Sequence, residues 1–189
     1  PNKNDMNHIK VEMGMNAWIG KLANGNVAAI QTMPWDFKPW GCASGSKGSC
    51  NNGWIQFEIC EDGLNDKKYF EAIYKEACEL TAYLCKMYNL DPKGTQKVGN
   101  VKVPVIICHQ DSYKLGLGNN HADIYHWFKK YGKDMEDVRN DVKKVLDAIG
   151  EDYKIDSIEQ KEKNRKGVMP FTTSTLQQAC INKFNYNSS

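Results

Sequence analysis

Trp54-Ile55-Gln56-Phe57-Glu58-Ile59-Cys60, followed by Asn65-Asp66 and then by Phe70, Ile73, Ala77, Leu80, Leu84 and Met87, decides the fold of this chain. The first run alternates. Trp54, Gln56, Glu58 and Cys60 fall on one face and Ile55, Phe57 and Ile59 on the other, the period of a strand. The second run has the three/four spacing of a helix with one buried face, with Asn65-Asp66 as its N-terminal cap and an expected end near Tyr88, before Asp91-Pro92. A strand followed by a long amphipathic helix needs a sheet for the helix to cover. Glu58 emerges on the mixed face of that strand, so its carboxylate belongs either to a solvated surface or to a site.

Upstream, residues 13 to 19 and 27 to 32 read as two strands, with Asn24-Gly25 between them as a hairpin signal. A loop then runs from Met33 to Gly53, carrying Trp35 and Trp40. Loops of that length are commonly functional or disordered. The two tryptophans suit the apolar faces of sugars or peptides, or else pack over the sheet. Downstream, residues 94 to 100 read as a polar loop, and Val103-Pro104-Val105-Ile106-Ile107-Cys108 as a strand delivering His109 at its end. A Gly/Asn loop closes on His121 and Asp123, and a further helix is expected from Met135 to Ile149, with Met135, Val138, Val142, Val145, Leu146 and Ile149 inward. This order predicts an α/β fold, a mixed central sheet flanked by helices, with no internal repeat.

The 189 residues suffice for one domain, placed at 1–150, and a charge-rich appendage at 151–189. A net charge of +2 is too small to argue for nucleic acid as a partner of residues 1–150, or for an anionic membrane. No apolar run approaches the roughly 18 residues of a membrane span, so no membrane partner is expected. Seven cysteines, at 42, 50, 60, 78, 85, 108 and 180, show no CxxC pair. They read as buried thiols, with a Cys42–Cys50 disulfide as the alternative.

Taken singly, His109 and His121 suit hydrogen-bonded loop positions. Together with Asp123 and with Glu58 on a neighbouring strand, they supply metal ligands, an oxyanion-stabilising group and a base. His126 is expected to pack among Tyr125, Trp127 and Phe128, and His8 to lie at the surface.

Gly14-Met15-Asn16-Ala17-Trp18-Ile19-Gly20, Asn24-Gly25-Asn26-Val27, Trp40-Gly41-Cys42-Ala43, Asn51-Asn52-Gly53-Trp54-Ile55-Gln56-Phe57-Glu58-Ile59 and the segment from His109 to Phe128 follow one another in a familiar order. Over residues 1 to 147 the chain resembles the zinc-dependent N-acetylmuramoyl-L-alanine amidases of the amidase-2 and peptidoglycan-recognition-protein superfamily, in the branch carried by prophages and mobile elements. The resemblance implies hydrolysis of the amide between N-acetylmuramic acid and L-alanine in peptidoglycan. It implies zinc as cofactor, His109 and Asp123 as ligands, Glu58 as acid/base partner and His121 as the oxyanion-stabilising residue, with Trp35, Trp40 and Asn52 along the substrate groove. The family's first zinc histidine lies on a strand upstream of Met13 to Ile19, so the N-terminal strand is expected to be missing and only two ligands to remain. Relatives without a full zinc set bind muropeptide without cutting it, which is the alternative function. Residues 152 to 189 resemble a short segment of type IA DNA topoisomerases without that enzyme's catalytic groups, and no activity is expected of this tail.

Overall fold

Asn16, just before the first strand, is fully buried, and its side chain spends its polar atoms on three backbone groups. Its Nδ2 donates to the carbonyls of Pro34 and Phe37, each at 3.0 Å, and its Oδ1 accepts from the Gln56 amide at 3.0 Å. A computed structural model describes residues 14–149, which fall within the unit Pro1–Glu151. The expectations for Met13, for His8 and for the tail lie outside the described residues.

Strand β1 (Ala17–Lys21) turns back into β2 (Val27–Gln31) as an antiparallel hairpin. The Leu22 carbonyl accepts from Gly25 and the Leu22 amide donates to Asn26, with Gly25 at φ 89°, where glycine is unstrained. On its other side β1 pairs in parallel with β3 (Phe57–Ile59), so the sheet order is β2-β1-β3 and the sheet is mixed, as expected. The first strand begins and ends later than its apolar run suggested. The third is shorter than expected, although Asn16 N–H to Gln56 O and Cys60 N–H to Ile19 O continue the contact past both its ends.

Helix α1 (Lys67–Met87) starts on Asp66, whose carboxylate accepts from the amides of Lys68 and Tyr69. Its Tyr69, Phe70, Ile73 and Ala77 pack against Ile19 of β1. The buried face is wider than the expected stripe. It also takes in Cys78, Ala82 and Cys85, because a later helix lies against that side, whereas Met87 is exposed. α4 (Met135–Ala148) is capped by Asp134 and Asp137 in a reciprocal capping box, and Val142 is fully buried against α1.

The segment between these helices departs most from expectation. The stretch taken as a polar loop is a strand, β4 (Thr95–Val98), paired antiparallel with β5 (Val101–Pro104) through Gly99-Asn100 as a separate two-stranded sheet. β5 stops at Pro104, which has no N–H to continue a ladder. Val105 then donates to Gly94, and the Ile106 carbonyl accepts from Arg139 Nε at 3.0 Å, so the apolar run to Cys108 is partly buried against the core without being a strand. His109 therefore opens a short helix, α2 (His109–Lys114), instead of ending a strand. A second short helix, α3 (Tyr125–Phe128), runs into a 3₁₀ turn at Lys129–Tyr131. The six described cysteines are free thiols, and all but Cys60 are buried. None of the described helices is long and apolar enough to cross a membrane.

Replacing Asn16 with Ala would strand the part-buried Gln56 amide and two loop carbonyls. The Asn16→Ala variant is expected to lose about 2–3 kcal/mol of unfolding free energy, read from the urea midpoint. A loss under 0.5 kcal/mol would show that water replaces the amide.

Candidate active site

The pairing of β1 with β3 sets Trp18 beside Glu58. Their neighbours Ala17, Ile19, Phe57 and Ile59 turn the other way, and Ile19, Phe57 and Ile59 join the core beneath α1. Trp18 and Glu58 thus look out from the opposite face, into a groove of about 410 Å³ that His109, His121, Asp123 and Trp40 also line.

α2 is only six residues long, and its neighbours hold it. Asp111 accepts from Tyr125 Oη at 3.0 Å and pairs with Arg139 at 3.6 Å. Ser112 Oγ donates to the His109 carbonyl, and the Gln110 amide donates to the Asp123 carbonyl at 3.1 Å. From there the chain makes a tight turn. Gly118 approaches Ser112 so closely that an added Cβ would stand 2.2 Å from its Oγ. The amides of Lys47, Cys50 and Asn119 bond to Gly116, Leu117 and Cys42 across the two loops, with Leu117 fully buried between them. Asn51 holds the same rim from below. Its Oδ1 accepts from the amides of Gly41 and Cys42 and from Gln56 Nε2, and its Nδ2 donates to Ala43 O.

The Asp123 Oδ2 atom lies 3.6 Å from Nδ1 of His109 and 3.6 Å from Nδ1 of His121, and the two imidazoles stack with centroids 4.7 Å apart. His109 Nε2 meets Asn119 Oδ1 at 2.8 Å. An amide oxygen only accepts, so the contact needs a proton on Nε2, and in the neutral ring Nδ1 then presents a lone pair toward the carboxylate. Two lone pairs facing each other beyond hydrogen-bond length suit a cation between them. Donors around a tetrahedral zinc ion stand about 3.3 Å apart, and two imidazoles with a carboxylate are a common zinc set. The ligand atoms of His109, His121 and Asp123 all lie within 4.8 Å of one another, so these residues fit the ion.

Glu58 shares the groove with this set. Burial, and after it the neighbouring charges of Asp123 and Glu61, together push its carboxyl up to about 7. Trp40 is 40% exposed at the rim, with the Lys38 ammonium 5.2 Å above its ring. Trp35 and the exposed Asn52 border a larger recess, which shares Glu58, His109 and Asp123 with the groove.

His126 was expected among the aromatics. Instead Trp127 and Phe128 enter the core against Phe70, and His126 turns outward, its Nε2 2.5 Å from Glu61 Oε1. Sequence reasoning missed Glu61 and His126, which lie 65 residues apart, and it missed Asn119. Asn119 was legible in principle, as an amide in a loop between two candidate ligands.

The sequence profile of the family described as N-acetylmuramoyl-L-alanine amidase matches residues 2–124, which take in Glu58, His109, His121 and Asp123. The crystal structure of the Staphylococcus aureus hydrolase AmiA in complex with its ligand is similar in fold, with a TM-score of 0.56. The identity is 19%, over 77% of this chain and 69% of that one.

The raised Glu58 carboxyl has a sign that can be measured. Folding favours its protonated form, so its contribution to stability is intact below about pH 4.5 and is lost as pH rises through about 7. Relative to the parent, metal-free Glu58→Gln is expected to gain on the order of 2–3 kcal/mol across that window and to run parallel outside it. Unfolding curves against pH check this, and a constant difference from pH 4 to 9 would contradict the buried carboxyl.

Proposed function

The chain belongs to the N-acetylmuramoyl-L-alanine amidase family, and from that premise we propose that it hydrolyses the amide joining N-acetylmuramic acid to L-alanine in peptidoglycan. In this reading zinc is held by His109, His121 and Asp123, and Glu58 is the acid/base group. The observation that carries it is the meeting of these donors with Glu58 in one groove. His121, expected to stabilise an oxyanion, is assigned here as the third donor, because its Nδ1 approaches the same Asp123 oxygen at the same distance as His109.

Zinc, when bound, supplies Lewis acidity, polarising an amide carbonyl and making water easier to deprotonate. The protein's own groups do the rest. A carboxyl raised to about 7 in the metal-free groove is suited both to take and to return a proton, so Glu58 can accept one from water and deliver it to the departing alanine amine. Asn119 keeps the His109 proton on Nε2 and its lone pair on Nδ1. Trp40 and Met15 give the groove apolar walls suited to the faces of a sugar and its lactyl group. Trp35 and Asn52 border the adjoining recess, with room for a further part of the substrate.

Purified sacculi incubated with the zinc-loaded protein should release new L-alanine N-termini. Glu58→Gln should slow this by about 10²–10⁴-fold while zinc stays bound. His121→Ala separates the two roles. Loss of zinc marks a donor, whereas retained zinc with slowed release returns His121 to the oxyanion. Retention on sacculi with no release by the zinc-loaded parent would favour a peptidoglycan-binding module built on the same groove.

A further inference from the structure

Asp123 is approached from two sides. Its Oδ2 faces the two stacked histidines, while its Oδ1 lies 4.0 Å from His126 Nδ1. The other nitrogen of His126, Nε2, is 2.5 Å from Glu61 Oε1, and Nδ1 also lies 3.5 Å from the Ala122 carbonyl. Both ring nitrogens thus face oxygen acceptors. The pair joins two firmly held places. Glu61 leaves β3 just after Cys60, whose amide donates to Ile19 and whose carbonyl accepts from Tyr69 Oη at 2.8 Å. His126 precedes Trp127 and Phe128, each 2% exposed and locked against Phe70 of α1.

We infer that Glu61 and His126 are a positioning pair for Asp123: anchored to β3 and α3, the imidazole stands behind Oδ1 and keeps Oδ2 turned toward His109 and His121. The inference rests on the metal reading proposed above and extends it to two residues outside the donor set. Neither residue is a ligand in this scheme. Their hydrogen bond is already closed, and it fastens the chain just after the strand that carries Glu58 to the helix that follows Asp123. A ligating carboxylate held by an outer partner binds its metal more tightly, because less side-chain freedom is lost on binding.

The test is zinc affinity, measured by competition with a chromophoric chelator, together with melting of the metal-free proteins. His126→Ala and Glu61→Ala are each expected to weaken zinc binding by about 10–100-fold, and the double variant to lose little more than either alone. Glu61→Gln keeps an acceptor oxygen for His126 and should stay within about threefold of the parent. If Glu61→Ala or His126→Ala fails to fold, Glu61→Gln and Glu61→Asp, which shortens the reach to Nε2, decide the matter: Asp must weaken binding and Gln must not. Unchanged affinity in the Ala variants, or losses that simply add, overturns the pair while leaving the metal reading in place. Failure of the parent itself to bind zinc overturns the metal reading and the pair with it.

Discussion

A buried side-chain amide is tolerable only when its polar atoms are all answered, and Asn16 is answered by three separate parts of the chain. It ties the start of β1 to the beginning of the long loop and to the approach of β3. Those bonds fix where β3 lies along β1, and so put Glu58 level with Trp18. A slip of one residue would turn Glu58 into the core beneath α1 and a core isoleucine or phenylalanine into the groove. Asn51 performs the corresponding task for the far end of the loop. Two asparagines thus convert a long stretch without regular structure into a defined wall.

Much of this fold was legible because its signals are local. Asn24-Gly25 gave the hairpin, Asp66 and the spacing from Phe70 to Leu84 gave α1, and the alternation through Phe57-Glu58-Ile59 put Glu58 on the face away from the helix. Where the reading failed, distant partners decided. An apolar run such as Val103–Cys108 looks the same as a strand or as a buried coil, and the choice lay with Pro104 and with the guanidinium of Arg139. The β4–β5 hairpin did carry a local signal, a Gly-Asn pair between two valines, which the polar character of residues 94 to 100 obscured.

The site was legible in part for the same reason. His109, His121 and Asp123 lie within one stretch of chain, and the structure brings them together with Glu58. Trp40 lines their groove, while Trp35 and Asn52 belong to its continuation. Nothing local connects Glu61 with His126, since their meeting needs α3 to dock on α1. His126 was misread because an aromatic neighbourhood in sequence is not one in space: a single turn of helix sends Trp127 and Phe128 inward and the histidine outward. The electrostatics follow from the same crowding. Asp123 and Glu61 stand near Glu58, and burial together with their repulsion holds the Glu58 proton toward neutral pH.

The bonds that knit residues 42–50 to the turn at 116–119 make the rim of the groove and the support of His109 a single mechanical body. Asn119 is held by the Cys42 carbonyl and in turn holds His109 Nε2. Strain introduced at Cys42 or Leu117, well outside the donor set, therefore reaches the ring of His109 through Asn119.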